Sequence, residues 1–172
     1  MEYPNRLIME DRVRGVVGRV HIVLRSFDGI IKDERVIDNL VVNSGRTHIA
    51  QLLNSNPTFP VLPGAPQMSH IAIGTDGSGL SATNTTLASE LSRVSMNGGF
   101  PTVFIPGIPA FQPSIVLYEA TWPATVGSGT IKEAGIFNAS SGGTMLARTT
   151  FGVITKVDDD TLSIDWQVYI SV

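Results

Sequence analysis

Apolar and polar residues alternate with a period of two along most of the chain. The clearest run is Thr161–Ser171. Leu162, Ile164, Trp166, Val168 and Ile170 fall on one face; Ser163, Asp165, Gln167 and Tyr169 fall on the other. Successive side chains of a strand point to opposite faces, so the run predicts a half-buried strand of an antiparallel sheet. Residues 13–26 repeat the pattern, with Val20, Ile22 and Leu24 set against Arg19, His21 and Arg25. Phe27-Asp28-Gly29 is a turn signal, because glycine accepts positive φ cheaply. A return strand over 35–42 makes 16–42 a β-hairpin. Asn43 or Ser44 then caps a short helix near 44–54, with Ile49, Leu52 and Leu53 as its apolar face.

Further strands are predicted over 68–74, 114–122, 130–137 and 144–151, and a last hairpin turns at Val157-Asp158-Asp159-Asp160. Leu87 and Leu91, four apart, suggest a helical turn over 84–92. If Phe137 faces Thr144, antiparallel pairing sets Glu133 directly opposite Arg148, a structural cross-strand ion pair. On an exposed face its value is below about 1 kcal/mol. The resulting class is mainly β: an antiparallel β-sandwich or jelly-roll-like barrel of about eight strands with one short helix near 44–54.

Two segments break the period. Residues 54–67 carry Pro57, Pro60, Pro63 and Pro66, a spacing that favours an extended path. Residues 97–113 set Phe100, Val103, Phe104, Ile105, Ile108 and Phe111 among Pro101, Pro106, Pro109 and Pro113. Prolines exclude a central strand or a helix there. Long loops are uncommon unless they serve a function. An apolar loop stiffened by proline loses little entropy on docking. Phe100, Phe104, Ile105, Ile108 and Phe111 are therefore the candidate protein-interface anchors. The other reading is that the loop folds back over its own core.

The chain has 172 residues and no cysteine, which suits one β domain over 13–172 behind an N-terminal arm, 1–12. No apolar run is long enough to span a membrane. No signal-peptide pattern stands at the N-terminus. A net charge of −3, with no basic patch carrying interleaved aromatics, speaks against nucleic acid or an anionic membrane as partner. Residues 1–46 hold 8 of the 12 basic residues, whereas 47–131 hold only Asp76, Glu90, Arg93 and Glu119 as charged side chains. A stretch so poor in charge is core or covered by other subunits; the other reading is a weakly charged polar surface rich in Ser, Thr and Asn.

Catalytic chemistry finds little footing. His21, His48 and His70 sit on different elements, and no local spacing gives any of them a partner. They read as surface histidines. Gly74 to Gly79 lacks the Lys-Ser/Thr pair of a phosphate loop and reads as a tight turn. Asp158-Asp159-Asp160 reads as a solvated turn, since three adjacent acids do not converge on a cation. Trp166 belongs to the core face, and Trp122 is a candidate for stacking on a sugar. Glu90 and Glu119 are the least unsuitable carboxylate pair for glycoside hydrolysis. No catalytic residue, metal site or cofactor is expected.

Several phrases in order carry a resemblance. Asn39-Leu-Val-Val-Asn-Ser-Gly45 precedes the helix. His70-Ile-Ala-Ile-Gly-Thr75 is followed by Thr86-Leu-Ala-Ser-Glu90 and Arg93. Ile131 to Ala139, Thr144 to Arg148 and Thr161 to Trp166 complete the series. Over roughly 39–170, the chain resembles small virion structural proteins of tailed bacteriophages (tail-fibre-like, collar or tail-associated proteins). The resemblance implies a mainly β, non-enzymatic subunit that assembles with itself as a trimer or ring and docks on other phage structural proteins. Residues 54–67 and 97–113 depart from the usual pattern of such subunits. The alternatives are a capsid decoration (cement) protein and a receptor- or glycan-binding head module using Trp122.

Overall fold

The computed structural model describes residues 15–53, 67–104 and 114–171. The arm 1–12, most of 54–67 and the anchors Ile105, Ile108 and Phe111 lie outside the described residues.

Among the described residues nine strands and one helix follow in order: β1 (Gly15–Arg25), β2 (Ile31–Val41), α1 (Asn43–Leu53), β3 (His70–Gly74), β4 (Glu90–Ser95), β5 (Thr102–Phe104), β6 (Ser114–Trp122), β7 (Gly129–Phe137), β8 (Met145–Lys156) and β9 (Thr161–Ser171). The class is mainly β with one short helix, as expected. The strands form one antiparallel sheet in the order β4-β3-β7-β8-β2-β1-β9-β6-β5, curled into a half-barrel. β2 is the pivot. It pairs with β1 from Ile31 to Asn39, then passes to β8 through Leu40 and Val41. Arg35 bridges the gap below that junction, donating to the carbonyls of Gly152 and Val153. At the other end, the Asn97 amide just after β4 donates to the Glu119 carbonyl on β6, so the curl brings the two outer regions together.

The inward faces share one core. Val20, Ile22 and Leu24 of β1, Leu162, Ile164, Trp166 and Val168 of β9, and Trp122 of β6 meet Ile71, Ile73, Ile131, Ile136 and Ile154 from the other half. A smaller cluster of Val42, Ala72, Leu87, Phe137 and Met145 lies apart from it. The loop 75–89 supplies Leu87 to that cluster.

The β1–β2 turn forms at Ser26–Ile30, where Gly29 takes φ 85° and its amide donates to the Ser26 carbonyl. The helix sits close on β8. Ser44 Oγ donates to the Met145 carbonyl at 2.8 Å, and a Cβ on Gly45 would collide with the Leu146 carbonyl. Leu52 departs from its expected role: it is more than half exposed, while Ile49 packs on the core.

Three sequence expectations are corrected. The final hairpin does not exist: β8 pairs with β7 and β2, while β9 lies between β1 and β6. The turn at 157–160 therefore carries the chain across from one half of the sheet to the other. The segment 84–92 forms no helix. Ala88 and Ser89 give their amides to the Glu133 carboxylate instead, and β4 starts at Glu90. In the β7–β8 register Glu133 lies opposite Thr150 and Arg148 opposite Gly135. Phe137 faces Met145 and not Thr144, and one irregularity between Ile136 and Phe137 adds a second residue to the offset from the pairing that uniform alternation predicts.

Candidate functional site

Residues 97–104 bring the first part of the apolar loop onto the sheet. β5 is a three-residue edge strand, with Phe104 opposite Ile115 of β6, the kind of position at which flanking prolines are tolerated. Phe100 sits against β6 and β9 in a cleft of about 200 Å³ with Leu117, Glu119 and Asp165. The side chain of Phe104, like Ile105, Ile108 and Phe111, lies outside the described residues.

Beside β5 runs an apolar groove of about 330 Å³ between α1 and β6. Ile49, Leu52, Met68, Val103, Val116 and Tyr118 are among its walls. Two of these project into solvent: Leu52 is 58% and Val103 59% exposed. Burial pushes the Tyr118 hydroxyl up to about 12. His48, at the same groove, is buried and its proton affinity is lowered by that burial, which corrects the surface reading of this histidine.

A polar row crosses four strands on the opposite face. His21 of β1 stands between Glu34 of β2, with Nε2 2.8 Å from Oε1, and Asp165 of β9, with Nδ1 3.6 Å from Oδ2. Asp165 in turn is aligned with Glu119 of β6, which accepts from the Asn97 side-chain amide at 2.6 Å. Burial, reinforced by the Glu119 charge and opposed by His21, raises the Asp165 carboxyl above its ordinary value. Sequence reasoning missed this row, although the polar-face alternation had placed both His21 and Asp165; only the strand order joins them. The Glu90–Glu119 pairing is not what forms: Glu90 is bound by Arg93 at 2.6 Å on β4. Arg93 also stacks over the Phe137 ring at 3.8 Å, caps the carbonyls of Ala139 and Gly142, and lowers the proton affinity of His70, second to burial.

Glu133 and Arg148 do meet, but diagonally and in the interior. Arg148 Nη2 lies 2.8 Å from Glu133 Oε2, with both side chains shut off from solvent. Glu133 also accepts the Ala88 and Ser89 amides, and Arg148 reaches Asn84 Oδ1 at 3.0 Å and the carbonyls of Ser78 and Gly79. The pair pins loop 75–89 onto the sheet.

Two further candidates change status. Trp122 is wholly buried, packed against Gly127, and offers no stacking face to a sugar. Asp160 is buried rather than solvated. Its desolvation is outweighed by the Lys32 ammonium at 2.7 Å and the Val157 amide, which hold the carboxyl below its usual value. Comparison with protein-family models, with curated proteins and with solved structures returns no significant match for this chain.

Proposed function

We propose that this chain is a non-enzymatic structural subunit of a tailed-bacteriophage virion, acting at the tail, the collar or neck, or beside a fibre. It works by symmetric self-assembly and by docking on neighbouring virion proteins. The observation that carries the reading is the exposed apolar surface of Val103 and Leu52 at the groove, with Val103 two residues before the anchor segment 105–113 in the sequence. Exposed apolar surface of this kind marks an interaction site. The ordered series of sequence phrases supports the class of assembly, and the strands of the curled sheet supply a rigid frame for it. The glycan-head alternative loses its main residue, because Trp122 lies in the core. A capsid-decoration role differs only in where the subunit sits.

Light scattering on the purified protein tests the reading. A trimer or a closed ring is expected, since homo-oligomers mostly close by rotation. A monomer whose mass is unchanged up to millimolar concentration overturns self-assembly.

A further inference from the structure

The turn between β1 and β2 gathers exposed apolar side chains at one end of the sheet. Phe27 is 88% exposed, the most of any large apolar residue among those described, and Ile30 and Ile31 follow at 63% and 44%. Three such residues within five positions mark a contact surface, where a single one would not. Backbone bonds fix the shape of the tip. The Ser26 amide donates to the Ile30 carbonyl, the Gly29 amide to the Ser26 carbonyl, and the Arg25 guanidinium to the Gly29 carbonyl. A knob ordered beforehand loses little entropy on docking.

The same chain carries a socket of matching size. The groove between α1 and β6 measures about 330 Å³ and is lined almost wholly by apolar atoms. A dry cavity of about 150 Å³ holds a benzene ring, so a phenyl ring and an aliphatic neighbour fit together. Knob and socket lie at opposite ends of the strands. Val168, in the groove, pairs with Gly18, whereas the tip follows Arg25, which pairs with Thr161. The separation is about 23 Å along the strands, so no copy can fill its own groove. Charge agrees with the fit. Arg46 is the one formally charged side chain of α1, exposed one turn before Ile49, and the exposed residue beside Phe27 is Asp28. Of the cations flanking the tip, Lys32 is held by Asp160 and Arg25 folds back on Gly29.

We propose that the β1–β2 tip of one copy, with Phe27 at its point, docks in the groove between α1 and β6 of a second copy of this chain. The contact joins unlike surfaces, so each copy gives one knob and receives one. Repeated around an axis, it closes the trimer or ring expected above. The inference rests on that self-assembly reading and names the two surfaces that meet.

Light scattering on two variants of the full chain and on their mixture tests the contact. Phe27→Ser removes the knob at an exposed position and is expected to leave Tm unchanged while weakening association roughly a hundredfold. Val103→Asp blocks the socket and is expected to weaken it comparably; Leu52→Asp on α1 takes its place if Val103→Asp lowers Tm. In an equal mixture one variant keeps its groove and the other its knob. A heterodimer with one copy of each, and no further growth, is expected at concentrations where each variant alone is monomeric. Assembly retained in Phe27→Ser, or a mixture that stays monomeric up to millimolar protein, overturns the knob-and-socket contact and leaves self-assembly standing. Retained assembly in Phe27→Ser with loss of flotation on phosphatidylcholine vesicles also overturns it, assigning the tip to a lipid surface. A monomer in the unsubstituted chain overturns both readings.

Discussion

Arg148 Nη2 lies 2.8 Å from Glu133 Oε2 although their backbones are two residues out of register across β7 and β8. Burial decides what this contact is worth. Removing one partner strands a charge in the interior, a loss of about 3–5 kcal/mol. Urea denaturation of Glu133→Gln and of Arg148→Met is expected to show that loss in each. The joint replacement Glu133→Gln with Arg148→Met is expected to recover part of it. Equal, additive losses in the double variant would mean that the two side chains act separately.

The seat of α1 on β8 is set by one small residue. Gly45→Ala forces the helix off the Leu146 carbonyl and is expected to destabilise the fold by about 1–3 kcal/mol. Gly79→Ala, at a position with open space around its Cα, serves as the control and is expected to change little. Thermal melts of the two variants distinguish a local clash from a general intolerance of alanine.

Assembly is expected to depend on the β5 region. Val103→Asp places a charge on the exposed wall of the groove, and the joint change Phe104→Ser with Phe111→Ser removes two anchors. Both are expected to leave the monomer folded and to reduce the assembled mass in light scattering, with association weakened roughly a hundredfold or more. Retained assembly with a lowered Tm would assign this segment to its own core.

Stability is expected to respond to pH through three groups of differing sign. His48 binds its proton less readily when folded, so the unfolded chain takes up more protons below about pH 6.5 and stability falls as pH drops. Asp160, held low by Lys32 against its burial, contributes above the ordinary carboxylate range and loses that contribution as pH falls through its folded value. Asp165 is the reverse. Its raised value makes its contribution present at low pH and lost as pH rises through it. Melts between pH 4 and pH 8 are expected to show a flattened acid limb in His48→Gln. Asp165→Asn is expected to gain slightly at neutral pH, and less in high salt because the site is half exposed. A loss of stability in Asp165→Asn at neutral pH would show that the His21 contact outweighs the burial cost.

How far the sequence carries the fold depends on what each feature needs. The buried face of β9 is legible from alternation alone, because solvent selects one side of a strand. The β1–β2 hairpin is legible because Gly29 marks its turn. Partnership between distant strands leaves no local trace: β9 belongs between β1 and β6, yet its sequence neighbour is β8. The coil at 84–92 is equally hidden, since the carboxylate that captures the Ala88 amide sits 45 residues away. At the candidate sites, the apolar character of 97–113 is plain in the sequence. The alignment of His21 with Asp165 needs the strand order. Trp122 and Asp160 mislead because a strand end and an acidic turn both read as exposed when their neighbours across the sheet are unknown.

The place of β9 in the middle of the sheet has a consequence for biosynthesis. Strands β1 and β6 leave the ribosome before β9, each with one flank waiting for it. Until then the nascent chain carries two open edges and an uncovered apolar face, the features that recruit chaperones and seed aggregation. Closure joins positions near 20 to positions near 166, a large loop to gather and a slow event among small domains. A message cut short before β9 would thus yield no partly useful subunit, only a chain with a vacant slot through its centre.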